Sequence, residues 1–299
     1  MLGEAGNYLR AWDGYCHLQA RDQTQSNMNR YHLRVSGLMA LLAIPLLLAA
    51  QRTYSFGLGG GTSYYYGDLT EGLNPKLLRP AGTLSASVYL MPTLSLRLGL
   101  SHGSLGAADS LASDPTRQKR NLHFRSPLTE GSAVFVWHVF RDRRFGRSFL
   151  KKPHLSPYLF GGVAIFRFRP EAQYEGQWHA LQPLGTEGQN IPGSALLPYS
   201  LTQMSLPFGL GVEMRFAPQL GLRAEVGYRH TFTDYLDDVS TEYPETEALA
   251  ATGMSMAALL SNRSEGIFPA GTKRGNPGAK DSYFFLTTGL VFYVSPFQR

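Results

Sequence analysis

Apolar and polar residues alternate with a period of two along residues 204–232. Every second residue from Met204 to Phe216 is apolar, and after the turn 217–221 the alternation resumes from Leu222 to Phe232. A period of two is typical of a β-strand and does not fit a helix. Thirteen residues at about 3.3 Å each, tilted by about 45°, rise by about 30 Å, the thickness of a bilayer's hydrocarbon core. The segment therefore predicts a β-hairpin long enough to cross a membrane.

Six further segments alternate in the same way, although the fifth strand is apolar on both faces. They lie at residues 53–59, 84–90, 94–101, 133–139, 158–168 and 283–294. With the hairpin they make eight strands, an even number, as bacterial membrane barrels require. Tight turns join strands two and three and strands six and seven. Long segments at 63–79, 103–120, 169–200 and 233–281 alternate with these turns. Short periplasmic turns and long extracellular loops are typical of such barrels.

The polar faces of these strands carry glycine, serine and charges of both signs. The charged residues are Arg97, Glu213, Arg215, Arg223, Glu225 and Arg229. Charges that must pair suit a narrow lumen better than a solvated face, and the apolar faces end in aromatic residues, as interfacial girdles do. We therefore favour a membrane barrel over a soluble lipocalin-type barrel. The predicted fold is all-β, an eight-stranded up-and-down antiparallel transmembrane β-barrel of the OmpA and OmpX type.

Eight strands leave an interior just wide enough for side chains, which argues against a channel. The charged residues of the lumen are interpreted as structural filling rather than as a proton or ion relay. Loop Arg141–Lys152 is an exception on the periplasmic side, because it is long and holds six basic residues and one acidic residue. It is interpreted either as a solvated turn beside lipid headgroups or as a docking surface for an acidic periplasmic partner. The residues proposed for docking are Arg143, Arg144, Phe145, Arg147 and Phe149.

The N-terminal region divides into two parts before the barrel. Residues 28–51 combine basic residues with a short apolar run that contains Pro45, which predicts a secretory signal peptide rather than a membrane anchor. Residues 1–27 are then a mis-called start or a disordered extension, and 52–299 form the barrel. The only cysteine, Cys16, lies before the signal peptide, so the mature chain needs no disulfide. The predicted location is the bacterial outer membrane.

No arrangement of residues indicates catalysis, a metal or a cofactor, and the chain is predicted not to be an enzyme. The net charge of +6 is mild and indicates no nucleic-acid partner. Three alternatives are weak: an esterase pair of His102 and Ser104, calcium binding by Asp234, Asp237 and Asp238, and a phosphate loop at 57–61. The first lacks an orienting third group, the second lacks EF-hand spacing, and the third is not followed by a helix.

Several loop segments resemble one family of outer-membrane proteins. They are Gly59–Asp68, Asn121–Ser126, Ser156–Gly162, Leu181–Gln189, Thr231–Tyr243 and Arg274–Pro277. They are similar to the outer-membrane β-barrel family that includes PorG, the barrel subunit of the type IX secretion apparatus. The resemblance covers nearly all of the mature chain. The ending Gln298-Arg299 departs from the usual terminal phenylalanine, and Phe292 or Phe297 is available to replace it.

This resemblance implies an eight-stranded barrel without catalytic residues. For the secretion member it also implies contact with a periplasmic ring of lipoprotein and partner protein. The expected function is a non-enzymatic barrel in contact with outer-membrane lipid that anchors the type IX secretion apparatus. The alternative is an envelope-stabilising or surface-binding barrel that acts through its extracellular loops.

Overall fold

The computed structural model describes residues 53–140, 154–264 and 266–294. The predicted signal peptide, the segment before it and the loop Arg141–Lys152 lie outside these residues. The statements that follow concern the described ranges, in which no helix is long and apolar enough to cross a membrane.

Ten strands and three short α-helices follow one another along the described chain. The strands are β1 Tyr54–Tyr66, β2 Arg79–Met91, β3 Leu94–Ala108, β4 His123–His138, β5 His154–Phe168, β6 Glu171–Tyr174, β7 Gln177–Ala180, β8 Thr202–Ala217, β9 Leu220–Thr231 and β10 Ser282–Val294. The helices are α1 Pro115–Arg120, α2 Thr246–Ala251 and α3 Ser255–Ser261.

Eight of the described strands close into a barrel, and β6 and β7 form a hairpin that pairs with β4 through Glu171 and Arg125. Each barrel strand pairs antiparallel with its neighbours, in the order β3-β2-β1-β10-β9-β8-β5-β4. The pairing of β3 with β4 then closes the ring. The sequence-based prediction of an eight-stranded antiparallel barrel is confirmed.

Apolar side chains cover the outside of the barrel, and polar side chains face the lumen. Val226 is 38% exposed, whereas Arg229 on the same strand is 5% exposed. Other exposed apolar residues include Phe56, Leu58, Leu84, Leu98, Leu100, Phe135, Trp137, Leu159, Ile165, Met204, Phe208, Leu210, Phe216, Leu286, Leu290 and Phe292. An outward apolar belt around a closed barrel is the surface of an outer-membrane-type protein. We call these residues the lipid belt.

The strands extend further at the loop end of the barrel than the alternation predicts. The alternation predicts the fourth strand from Ala133, whereas β4 begins at His123. Residues 123–132 contain few apolar residues, so no alternation reveals this part of the strand. β5 is apolar on both faces because its inner side chains are aromatic, and Tyr158, Phe160 and Phe166 are buried in the lumen.

The long connections at this end have structure of their own. We define loop 1 as residues 67–78, loop 2 as 109–122, loop 3 as 169–201 and loop 4 as 232–281. Loop 2 contains α1, loop 3 contains the β6–β7 hairpin, and loop 4 contains α2 and α3. By the rule that long loops of such barrels are extracellular, this end faces the outside of the cell.

Candidate functional site

Ion pairs lie inside the lumen of the barrel. Arg97 Nη2 lies 2.6 Å from Glu225 Oε2, and Arg223 Nη2 lies 2.7 Å from Glu213 Oε1. The Tyr158 hydroxyl donates a hydrogen bond to Glu225 at 2.7 Å. The structure thus joins four of the six charged residues that the sequence places in the lumen.

The remaining two charged residues find other partners. Arg229 pairs with Glu130 at 3.0 Å, and the Tyr283 hydroxyl also donates to Glu130 at 2.8 Å. Glu130 was missed by the sequence reasoning because it lies in the part of β4 without apolar alternation. The guanidinium of Arg215 lies 4.4 Å from the centre of the Tyr293 ring.

Aromatic rings and these ion pairs fill the lumen. The Arg97 guanidinium lies 5.0 Å from the centre of the Phe160 ring, and that of Arg229 lies 4.7 Å from the centre of the Phe285 ring. A cavity of about 50 Å³ remains beside Arg97, Glu225 and Arg229. This volume accommodates about one or two water molecules. The lumen at this level is therefore a packed polar core.

A second buried network joins the extracellular loops. Its centre is Glu187 of loop 3, whose side chain is fully buried. Glu187 accepts hydrogen bonds from the backbone nitrogens of Ser240 and Thr241 at 2.7 and 3.0 Å, and from Thr241 Oγ1 at 2.8 Å. It also pairs with Arg274 at 2.9 Å. One carboxylate of loop 3 thus holds two separate segments of loop 4.

Arginine side chains extend this network to loops 1 and 2. Arg120 pairs with the buried Asp109 at 2.7 Å and donates to the backbone oxygens of Asp68 at 3.1 Å and Arg274 at 3.0 Å. The Asp68 carboxylate accepts a hydrogen bond from the nitrogen of Asn276 at 2.7 Å. We call this assembly of the four loops the cap.

Two buried carboxyl groups of loop 4 share one hydroxyl of β1. Tyr65 Oη lies 2.6 Å from Asp237 Oδ2 and 2.8 Å from Asp281 Oδ1. A tyrosine hydroxyl has one hydrogen to donate, so this arrangement is favoured when one of the two carboxyl groups carries a proton. Burial, together with neighbouring acidic groups, raises the pKa of Asp237 and of Asp281 well above the ordinary value.

The other two aspartates of loop 4 lie in the same buried region. Burial raises the pKa of Asp234 to about 7 and that of Asp238 to about 6. Asp238 has a φ of 65°, in the left-handed region, and its carboxylate accepts hydrogen bonds from Tyr199 at 2.6 Å and from Thr186. Arg274 lies nearby, with its Nη2 3.9 Å from Asp238 Oδ2. These contacts explain how a non-glycine residue keeps this conformation.

The calcium alternative does not fit this arrangement. Asp234 accepts from Ser240 Oγ at 2.7 Å, Asp237 bonds to Tyr65, and Asp238 bonds to Tyr199. The three carboxylates are thus directed to protein donors rather than to a common point. Among the residues that the structure describes, no group of histidine, cysteine or acidic side chains is arranged to hold a metal ion.

The other two weak alternatives find no support in the geometry either. His102 Nδ1 lies 2.9 Å from Thr129 Oγ1, whereas Ser104 Oγ is 3.4 Å from the carbonyl oxygen of Leu105, so His102 and Ser104 do not form a pair. The glycines at 57–61 lie inside β1, where a Cβ on Gly57 would approach Ser85 Oγ to 2.5 Å. Close strand packing accounts for this glycine.

The chain can be assigned to a protein family from its sequence. A family model described as "Domain of unknown function (DUF6089)" matches residues 34–256. The chain belongs to this family. The DUF6089 match spans seven of the eight barrel strands and loops 1 to 3. The finer resemblance to the secretion member PorG is not part of this match, and no curated protein matches the chain.

Several solved structures are similar to this DUF6089 barrel. Ail, the attachment invasion locus protein of Yersinia pestis, is 10% identical with a TM-score of 0.39, over 82% of this chain and 99% of that chain. The outer membrane protein OprG from Pseudomonas aeruginosa is 9% identical with a TM-score of 0.40. The match covers 82% of this chain and 96% of OprG. Neisserial surface protein A is 11% identical with a TM-score of 0.37. The match covers 80% of this chain and 96% of the neisserial protein.

The location of the DUF6089 barrel follows from its own surface. A closed ring of antiparallel strands leaves no unpaired edge, and the lipid belt would be unfavourable in water. The chain is a bacterial outer-membrane β-barrel. The five residues proposed for docking, Arg143, Arg144, Phe145, Arg147 and Phe149, lie outside the described residues.

Proposed function

We propose that the protein is a non-enzymatic, non-conducting barrel of the outer membrane that acts through its two ends. The observation that carries this proposal is the Arg97–Glu225 ion pair, which closes the lumen. Arg97 Nη2 and Glu225 Oε2 lie 2.6 Å apart, and the two side chains come from different walls of the barrel. In planar bilayers the folded protein is expected to give no stable single-channel conductance. Steady stepwise currents would contradict the proposal.

We further propose that the periplasmic end anchors the type IX secretion apparatus by contacting its periplasmic ring. β4 ends at His138 and β5 begins at His154, so loop 141–152 leaves and re-enters the barrel at the end of the two tight turns. Six basic residues and one acidic residue give this loop a field that attracts an acidic surface. Phe145 and Phe149 add apolar contact area. The family resemblance of the loop segments supports the secretion role.

The test is a charge-removing variant of this loop. We expect Arg143→Ser, Arg144→Ser and Arg147→Ser together to leave the barrel heat-modifiable on gels but to abolish co-purification of a periplasmic protein. Secretion of type IX cargo should fall in parallel. The matched control, Lys119→Ser with Lys273→Ser and Lys280→Ser, removes the same charge from the extracellular loops and should change neither result.

A second candidate function is surface binding or envelope stabilisation through the cap. It is favoured by a groove of about 250 Å³ between loops 1 and 2, lined in part by Leu73, Leu77 and Leu111. Leu73 is 79% exposed, so its side chain is accessible to a partner. If co-purification is unchanged in the arginine variant at physiological salt, the binding site belongs to the loops. Leu73→Ser with Leu111→Ser should then reduce adhesion of whole cells.

A further inference from the structure

A row of polar residues marks the upper edge of the lipid belt on one side of the barrel. In the register of β3, β4, β5 and β8, His102 pairs with Thr129, Thr129 with Arg167, and Arg167 with Thr202. Ile165, two residues below Arg167 on the same face, is 58% exposed and belongs to the belt. The Arg167 side chain therefore leaves the barrel at the boundary between hydrocarbon and headgroups.

Two more arginines lie directly above this row. Arg125 Nη2 on β4 lies 2.8 Å from Glu171 Oε2, and Arg169 Nε donates to Glu171 Oε1 at 2.7 Å. The Arg169 side chain is 63% exposed and that of Arg125 is 43% exposed. Because one carboxylate serves two guanidinium groups, a net positive charge remains on this part of the outer surface.

Arg79 and Arg263 extend the positive surface to either side. Arg79 lies beside Gly106 of β3, since a Cβ added to Gly106 would be 3.4 Å from Arg79 Nε. Gly106 is paired with Arg125 in the register of β3 and β4, so Arg79 and Arg125 lie in the same region. Arg263 Nη1 lies 2.8 Å from Nδ1 of His123, which faces outward two residues before Arg125 on β4. The Trp178 ring covers the Arg125 guanidinium at 3.9 Å from its centre. Five arginines thus lie in this part of the barrel's loop end, and Glu171 pairs with two of them, Arg125 and Arg169.

Three of these arginines have no acidic partner among the residues that the structure describes. Within the described ranges, the Arg79 and Arg167 guanidinium groups make no ion pair or hydrogen bond, and the Arg263 guanidinium bonds to the His123 ring. Burial lowers the pKa of Arg263, which is a cost that a carboxylate would ordinarily offset. We define Arg79, Arg125, Arg167, Arg169 and Arg263 as the arginine rim.

We propose that the arginine rim binds the phosphate groups of an outer-leaflet glycolipid. A guanidinium group presents a planar fork of donors that matches phosphate oxygens in pairs. Lipid phosphates lie just outside the hydrocarbon region, which is where the rim joins the lipid belt. The long-loop end of the barrel faces the outer leaflet, where phosphorylated glycolipids are found. Trp178 beside Arg125 fits an interfacial position, where indole rings are enriched.

The proposal is tested with the variant Arg79→Gln/Arg167→Gln/Arg263→Gln. These three positions are chosen because their removal takes no ion-pair partner from any carboxylate in the part of the chain that the structure describes. The control Lys119→Gln/Lys273→Gln/Lys280→Gln removes three exposed charges from the loops. Binding of fluorescent bis-phosphorylated lipid A to detergent-folded protein should weaken by about a hundredfold in the arginine variant, since each cation near a lipid surface contributes about fivefold. The lysine variant should bind like the native protein.

Two further arms identify the ligand. Lipid A without its phosphates should bind the native protein as weakly as the phosphorylated form binds the arginine variant. Equal competition by phosphatidylglycerol would overturn the assignment to a glycolipid, and equal losses in the lysine and arginine variants would overturn the assignment to the rim. Heat-modifiability on gels checks that each variant is folded. The single variant Arg167→Gln, at an exposed position whose side chain bonds to none of the described residues, should still lose about fivefold.

Discussion

Arg97 on β3 and Glu225 on β9 form an ion pair of 2.6 Å although their strands lie four positions apart around the barrel in either direction. The pair therefore connects opposite walls of the lumen. Both side chains are nearly buried, and Glu225 also accepts a hydrogen bond from Tyr158. An ion pair in this position excludes a continuous water column and fixes the separation of the two walls.

Glu225→Leu should strongly destabilise the barrel. The substitution leaves Arg97 buried without its carboxylate, and breaking a buried pair in this way costs about 3–5 kcal/mol. Folding titrations with urea in lipid bilayers measure the change in the free energy of unfolding. The double variant Arg97→Met/Glu225→Leu removes both charges and should recover much of the loss. A double variant no more stable than Glu225→Leu would contradict the role of the pair.

Val226→Arg tests the assignment of the lipid-facing side one residue further along β9. Val226 is exposed on the belt, so an arginine there places a charge in hydrocarbon at a cost of about 2–4 kcal/mol near the midplane. The same refolding titration measures it. Val226→Ile, the matched control, should be nearly neutral, and a harmless Val226→Arg would mean that the two faces are assigned the wrong way round.

Gly227→Ala should destabilise the barrel by overpacking the lumen. A Cβ on Gly227 would lie 2.8 Å from Phe160 Cζ and would also meet the Arg229 guanidinium. Overpacking of this kind costs about 1–3 kcal/mol. Phe160→Leu should partly rescue Gly227→Ala by making room for the methyl group. Gly131→Ala is the control, since a Cβ there meets nothing within 4 Å, and an equal loss at both glycines would exclude the packing explanation.

The cap should loosen as the pH rises. Burial raises the pKa of Asp238 to about 6 and of Asp234 to about 7 from an ordinary 3.8, and it raises those of Asp237 and Asp281 further. A carboxyl group whose pKa is higher in the folded than in the unfolded state stabilises the folded state when it is protonated. This stabilisation is complete below the pKa of the unfolded state and is lost as the pH rises through the pKa of the folded state. Arg274, Arg120 and Lys280 partly oppose the shifts, and Asp68 and Glu187 add to them.

Hydrogen exchange of residues 233–264 and 266–281, corrected for its intrinsic pH dependence, measures this effect. Exchange should increase by roughly tenfold between about pH 5 and about pH 8. Asp237→Asn mimics the protonated form and should reduce the slope, whereas Glu247→Gln on the exposed face of α2 should leave it unchanged. A cap that exchanges equally at both pH values would refute the shared-proton arrangement around Tyr65.

The membrane-embedded part of the fold is predictable from the sequence because lipid imposes the alternation. Leu222, Val226 and their neighbours must be apolar wherever they face hydrocarbon, so a period of two reveals the strands. Beyond the lipid this constraint ends. Glu130 and its surroundings in β4 face water or the lumen, and their strand is held by backbone pairing that leaves no apolar pattern.

The cap was not predictable for a different reason. Its ion pairs and hydrogen bonds join residues far apart in sequence, such as Arg274 with the Glu187 carboxylate and Arg120 with the Asp68 carbonyl oxygen. The aspartates of loop 4 suggested only a calcium alternative, because the sequence does not reveal that Tyr65 approaches Asp237 and Asp281. The segments that carry the family resemblance include Asp68, Glu187, Asp237 and Arg274, which meet in this network.

The shared carboxylate of Glu187 has a consequence for how these loops can diverge among relatives. A substitution at Glu187 removes partners from Ser240, Thr241 and Arg274 at once, so it is tolerated only when loop 4 changes with it. Arg274 in turn gives its carbonyl oxygen to Arg120 of loop 2. We therefore expect the residues of this network to vary together among relatives. Variation that evades recognition from outside should accumulate instead at exposed loop positions beyond the network, such as Leu197 in loop 3.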